Sequence, residues 1–152
     1  ERALAFPDAI KASDAIPVLL PGGGHDTLSW PLPPGGSTHP RTAGTFCKTL
    51  RVMVRETGRW TWLEAFRRCS YLPARLLDFA PAAAGKGFLR AGADADIVVI
   101  EPDRIADRAT YGEPTLPSRG VRHLLVNGEP VVRDGELVAG VFPGRALRGA
   151  PR

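Results

Sequence analysis

The hydrophobic period changes near Lys86, and that change constrains the fold more than any other feature of the chain. Upstream, Phe46, Leu50, Met53 and Val54 fall at i, i+4, i+7 and i+8, one face of an amphipathic helix. Downstream, Ile97-Val98-Val99-Ile100 is a β-branched run, and the runs Val121 to Val126 and Glu129 to Arg133 flank Asn127-Gly128, the preferred chemistry of a tight hairpin. Helices first and strands second predict two structural units, residues 1–85 and 86–152, rather than one alternating domain. The chain has 152 residues, whereas a complete eight-stranded α/β barrel takes roughly 200 or more. It opens on Glu1 and its only methionine is Met53, so it reads as a piece cut from a longer protein.

Within the first unit, Ala9 to Ser13 is a candidate short buried strand ending at Asp14. The stretch from Pro17 to Pro40 is rich in Gly and Pro, a loop long enough to be functional or disordered. Gly58 is the expected stop of the first helix. Thr61 and Glu64 form a capping box that starts a second helix at Trp62, and Pro73 suits the first turn of a third. In the second unit, Gly87-Phe88-Leu89 is a short strand candidate, residues 103–120 look irregular, and Asp134-Gly135 offers another turn before Glu136-Leu137-Val138.

Composition narrows the partners. Net charge is +4, with 20 Lys and Arg against 16 Asp and Glu, and the basic balance invites a nucleic-acid reading. The distribution opposes it: residues 1–85 carry 10 basic and 7 acidic side chains and residues 86–152 carry 10 and 9, so neither unit is a basic stripe. No run approaches the ~18 apolar residues of a membrane-spanning helix. Neither nucleic acid nor membrane is therefore expected as a partner. Cys47 and Cys69 are too few for a disulfide framework and lack metal-ligand spacing. Each falls in a predicted helix as a small hydrophobe, and a reducing cytoplasm is the expected location.

Local chemistry is sparse. His25, His39 and His123 are not spaced as metal ligands; His123 in a strand reads as structural, while His25 and His39 lie in the long loop. Gly22-Gly23-Gly24 leads into no helix, so it is no phosphate cradle. Asp14 stands out because an acid at a strand end before a long loop is placed as barrel active sites are placed. An ordinary strand-end aspartate fits the same spacing.

Read as a whole, the string resembles a family. Ala12-Ser13-Asp14-Ala15, His39-Pro40-Arg41 and Gly44-Thr45-Phe46 are similar to the C-terminal part of the N-acyl-D-amino-acid deacylases of the amidohydrolase superfamily. The similarity continues through Val54-Arg55-Glu56, Leu63-Glu64-Ala65, Pro73-Ala74, the run Gly92 to Val99, Asp107 to Thr110, and Arg122 to Gly128. The Asp94-to-Val99 and Val126-Asn127-Gly128 pieces are widespread among amidohydrolases; the Ser-Asp, His-Pro-Arg and Gly-Thr-Phe set is narrower.

The resemblance implies the C-terminal part of a metal-dependent (β/α)8 barrel followed by part of a small β-sandwich, with zinc as the usual ion. It implies Asp14 as the proton-transfer group beside the metal and a candidate metal ligand. Arg41 and His39 become residues of the loop over the site, with Arg41 suited to bidentate recognition of a substrate carboxylate or, alternatively, to pairing with a nearby acid or holding the loop, and Ser13 either orients Asp14 or packs. Two positions depart from the common pattern: Ala15 stands where Gly follows Ser-Asp, and Cys47-Lys48 where Pro-Arg follows Gly-Thr-Phe.

The family's remaining metal ligands lie upstream of Asp14, and a catalytic zinc takes about three protein ligands. The chain alone is expected to hold no zinc tightly and to hydrolyse nothing, and its expected partners are an N-acyl-amino acid substrate and the missing N-terminal barrel portion. The alternatives are a hydantoinase- or dihydroorotase-like cyclic amidohydrolase, and a non-catalytic β-rich interaction module. A lone barrel piece predicts uncovered apolar side chains around Phe46, Leu50, Val54, Trp60, Trp62 and Phe66.

Overall fold

The computed structural model describes residues 6–24, 35–77 and 79–149, and the helical and β-rich regions follow each other as the period change predicts. Helix α1 runs over Arg41–Thr49 and continues without a break as a π-helical stretch, Leu50–Glu56. Gly58 ends it in the left-handed region, φ +58°, with its N–H on the Val54 carbonyl, as a helix-terminating glycine does. The Trp60 N–H then returns to the Met53 carbonyl and turns the chain back on the helix. Helix α2, Trp62–Phe66, starts where Thr61 accepts from the Glu64 N–H, so the first half of the expected capping box is formed. A π-type turn, Arg67–Tyr71, leads into α3, Leu72–Leu76, with Pro73 in its first turn, and a 3-10 turn follows at Pro81–Ala83.

The second region is an antiparallel meander of β1 (Ile97–Ile100), β2 (Val121–Val126), β3 (Glu129–Arg133) and β4 (Glu136–Leu137). Asn127 at φ +49° and Gly128 at φ +85° make the β2–β3 turn, and Asp134 at +53° with Gly135 at +85° makes the next. Positive φ at both central positions is the hairpin geometry whose twist matches that of the strands. Val98 pairs with Leu124, Leu124 with Val132, and Val132 with Leu137. The β2–β3 register slips between Leu124 and Leu125, beside Pro130, which has no N–H to give the ladder.

One cluster of buried side chains joins the two regions. Leu50, Met53, Trp60 and Ala65 from the helical part surround Ile105, which is fully buried in the segment between β1 and β2, and Ile100 and Val121 pack against them. Gly120 permits this approach: at φ +84°, a Cβ there would lie 2.5 Å from the Ile105 Cα.

Three expectations change. Ala9 to Ser13 belongs to no strand; its one backbone link to a helix is the Lys11 N–H on the Arg68 carbonyl, and a strand needs a neighbour to complete its ladder. Gly87-Phe88-Leu89 is also no strand, because Gly87, at φ +87°, passes against α3 with a would-be Cβ 2.7 Å from that of Ala74. Leu50 and Trp60 are covered by the shared core, whereas Phe46 and Phe66 remain 43% and 41% exposed. Among the described residues no helix is long and apolar enough to cross a membrane.

Candidate active site

The segment bearing Asp14 is strapped to the helices at both ends. On the N-terminal side Asp8 pairs with Arg67, and the buried Arg68 guanidinium donates to the Phe6 carbonyl at 2.8 Å while lying over the Trp60 ring. On the C-terminal side Ile16 meets two hydroxyls: Thr42 Oγ1 receives its N–H at 3.4 Å, and Thr38 Oγ1 donates to its carbonyl at 3.2 Å. Further on, Leu19 and Ser37 exchange backbone hydrogen bonds of 2.8 and 2.7 Å. The long loop is thus pinched at its base, which brings His39-Pro40-Arg41 back over Asp14.

Asp14 itself adopts φ +51°, a left-handed conformation that short polar residues tolerate better than most. Ser13 Oγ accepts from the Ala15 N–H at 3.3 Å and holds that turn. The Asp14 carboxylate is 86% exposed and its Oδ2 lies 3.2 Å from Arg41 Nη2. The Arg41 side chain is 36% exposed, yet its Nε is buried with no hydrogen-bond partner among the described residues.

Helix α1 aims Arg41. Pro40 offers no N–H, and two donors of the first turn go to His39: the Arg41 N–H to Nδ1 at 3.0 Å and the Thr42 N–H to the carbonyl at 2.9 Å. These are the donors a helix start leaves unpaired. The other ring nitrogen of His39 lies 3.2 Å from the Tyr111 hydroxyl, and the two rings meet edge to face at 5.3 Å.

The segment after β1 seats the same helix. A Cβ on Gly44 would come within 3.2 Å of the Asp107 Cβ, so Gly44-Thr45-Phe46 is a motif of close approach as much as of sequence. Asp107 takes two bonds from Arg51, from Nε and Nη2, both 2.8 Å long. The bond to Asp107, followed by that to Glu56, pushes the Arg51 pKa up. Arg55 donates to the Ile105 carbonyl at 2.7 Å, and Ser118 to that of Ala43 at 3.0 Å.

The expected site residues thus fall into one neighbourhood, with Asp14 and Arg41 in contact, His39 behind Arg41, and Ser13 beneath Asp14. His123 stands apart in β2, where Nδ1 accepts from the Asp134 N–H at 3.3 Å. His25 lies outside the described residues. Tyr111, Thr38 and Thr42 join the site without having been singled out by the sequence. The only signal for Tyr111 was its place directly after Asp107-Arg108-Ala109-Thr110.

Neither cysteine is activated. Burial pushes the Cys69 thiol up to about 11, and burial also raises that of Cys47, with the neighbouring Ser118 hydroxyl acting in the opposite direction. Among the described residues no group of three or more His, Cys, Asp and Glu could hold a metal ion. Asp14 offers one exposed carboxylate already facing a guanidinium, so these residues do not by themselves fit a catalytic zinc.

Residues 10–132 match the model of an amidohydrolase family. An N-acyl-D-glutamate deacylase of Alcaligenes xylosoxydans xylosoxydans is 40% identical over 117 residues, 77% of this chain and 23% of that protein. The structure of N-acyl-D-glutamate deacylase from Bordetella bronchiseptica, solved with zinc and a phosphonate inhibitor that mimics the tetrahedral intermediate, is 42% identical with a TM-score of 0.64. It covers 76% of this chain and 23% of its own. A D-aminoacylase structure aligns over 96% of this chain and 26% of its own, at 29% identity and a TM-score of 0.75. The chain therefore spans about a quarter of the length of the relatives it matches.

Proposed function

We propose, from the premise that this chain belongs to the amidohydrolase family, that it serves a zinc-dependent hydrolysis of N-acyl-D-amino acids to a carboxylate and a free D-amino acid. The observation that carries this reading is the exposed Asp14 carboxylate held 3.2 Å from Arg41, inside the matched segment. The substrate class has both complementary groups. Its α-carboxylate suits the planar guanidinium of Arg41, whose Nε has no hydrogen-bond partner among the described residues. Its amide needs a proton removed from the attacking water and one delivered to the leaving amine, and one carboxylate oxygen of Asp14 performs both transfers in turn. Ser13 keeps the Asp14 turn closed, and His39 keeps the first turn of α1, and so Arg41, in place.

A zinc ion held by the rest of the barrel would supply Lewis-acid activation of water. The ligand set is proposed to come from polypeptide outside the described residues, with Asp14 at its edge. In the same reading residues 1–85 contribute the closing strand, the site loop and helices of a (β/α)8 barrel, with Ala9 to Ser13 completed as a strand by its barrel neighbours. Residues 86–152 contribute the β-rich part of a small sandwich, and two free cysteines suit a reducing cytoplasm.

The test replaces the matching 117-residue segment of the Alcaligenes N-acyl-D-glutamate deacylase with the corresponding segment of this chain. The zinc-loaded graft is assayed on N-acetyl-D-glutamate, N-acetyl-D-leucine and hydantoin. Deacylation of the acyl amino acids is expected, with Asp14→Asn lowering kcat by about 10²- to 10⁴-fold. Turnover of the cyclic amide alone would replace the deacylase reading with a hydantoinase-like one. The 152 residues by themselves are expected to show no zinc-dependent deacylation.

A further inference from the structure

Tyr111 is 82% exposed. Its hydroxyl nevertheless sits 3.2 Å from His39 Nε2, with the two rings 81° apart in an edge contact. The opposite nitrogen, Nδ1, accepts from the Arg41 N–H at 3.0 Å, and an accepting nitrogen carries no proton. In the neutral ring the proton is then on Nε2, and the group facing it is the Tyr111 hydroxyl, which accepts. A tautomer is set by the hydrogen bond at the other nitrogen. From these contacts we infer that Tyr111 is a positioning residue: it accepts from His39 Nε2–H and anchors the ring, His39 fixes the first turn of α1, and that turn aims Arg41 at Asp14.

The seating of Tyr111 supports the role. Its segment is pinned to α1 and the π-helical stretch that continues it by the Gly44 approach and the Arg51–Asp107 bonds, and the turn after Thr110 closes as the Glu113 N–H donates to Thr110 Oγ1 at 3.0 Å and the Thr110 N–H to the Glu113 carbonyl at 3.2 Å. The region between β1 and β2 thereby reaches a site whose other parts all come from residues before Thr49. The inference rests on the proposed carboxylate-binding role of Arg41 only for its kinetic consequence; the positioning itself is structural and is read separately.

Two measurements test it. Long-range proton–nitrogen spectra of the His39 imidazole in the 152-residue chain are expected to show the Nε2–H form. Tyr111→Phe, which keeps the ring and removes the hydroxyl, is expected to keep that form but to shift the Nε2 resonance and, as the ring loses its anchor, the Arg41 amide resonance. A mixture of tautomers in the unaltered chain, or spectra indifferent to Tyr111→Phe, overturns the inference.

In the zinc-loaded graft, whose exchanged segment contains Tyr111, Tyr111→Phe is expected to raise KM about three- to tenfold with kcat changed less than about twofold, the pattern of lost uniform binding. His39→Asn, whose Oδ1 can replace Nδ1 as the acceptor but cannot reach Tyr111, is expected to match it, and the double variant to be no worse than either single one. Spectra that move while KM does not would sustain the positioning role and remove Arg41 from substrate binding. Fully additive KM effects would separate Tyr111 from His39 and overturn the inference.

Discussion

Arg41 stands between the backbone and the chemistry, because its amide is anchored on His39 while its guanidinium reaches Asp14. A guanidinium offers a planar fork that a lysine cannot reproduce. Arg41→Lys in the graft is accordingly expected to raise KM for N-acetyl-D-glutamate by about tenfold or more while sparing most of kcat, read from initial rates over a substrate series. Cys69 makes the opposite case at the same scale. Its thiol, pushed by burial from 9.0 to about 11, is thiolate only in strongly alkaline solution. Since the thiolate is the reactive form, labelling of Cys69 by a disulfide reagent at pH 8 is expected to lag a free cysteine by at least about tenfold and to approach it only near pH 11. Small polar residues complete the site through bonds of a different kind: Ser13, Thr38 and Thr42 act on backbone groups of the Asp14 strap, not on the reacting atoms.

The elements differ in how far their causes lie along the chain, and that distance decides what was legible. Thr61 with Glu64, and Asn127 with Gly128, act within a few residues, so the helix start and the hairpin could be read directly from the string. The grouping of Asp14, His39 and Arg41 came through family motifs, since no local period links residues so far apart. Ile105 and Gly120 were hidden in a stretch that looked merely irregular, because their meaning lies in a contact with each other and with α1. The missing strand at Ala9 to Ser13 has the same origin: an apolar run proposes a strand, but only a paired neighbour makes one.

Two glycines turn this distinction into an experiment. A Cβ at Gly120 would sit 2.5 Å from both the Cα and N of Ile105, whereas one at Gly58 would meet nothing within 4 Å, and both residues have positive φ. Gly58→Ala therefore carries only the left-handed penalty of about 1 to 2 kcal/mol. Gly120→Ala adds overpacking and is expected to cost about 2 to 4 kcal/mol in urea unfolding. Equal losses at the two sites would mean that the Ile105 contact gives way easily.

At the scale of the whole molecule, the two regions meet in the core around Ile105, along the segment from Asp107 to Ser118, and at a charged clasp on the connection between them. Lys86, just after the helices, bonds Asp96 at 2.6 Å and Asp94 at 3.1 Å. Asp96 in turn accepts from the Asn127 N–H at 2.8 Å, and Asn127 Nδ2 donates to the Pro143 carbonyl at 2.7 Å. One carboxylate thus ties the end of the helical region to the hairpin turn and, through it, to the tail. Burial works to raise the Asp96 pKa, but the bonds from Lys86 and Asn127 outweigh it and hold the carboxyl below its ordinary 3.8. The bond to Asp96 raises Lys86 above 10.5 despite the opposing effect of burial. A carboxyl depressed in the folded state stabilises fully above its unfolded pKa and loses that contribution as pH falls through the folded value. A lysine raised in the folded state stabilises fully below its unfolded pKa and loses the contribution as pH rises through the folded one. The clasp therefore contributes a constant amount between about pH 5 and pH 9 and fades at both extremes. Asp96 is about one-third exposed, so solvent screening limits the contribution to about 1 kcal/mol. Asp96→Asn should lower stability by that amount at pH 7, and urea unfolding followed from pH 7 to pH 3 should show the difference shrinking below about pH 4. A difference that stayed constant to pH 3 would assign the loss to altered packing at the turn instead of to the charge that joins the two regions.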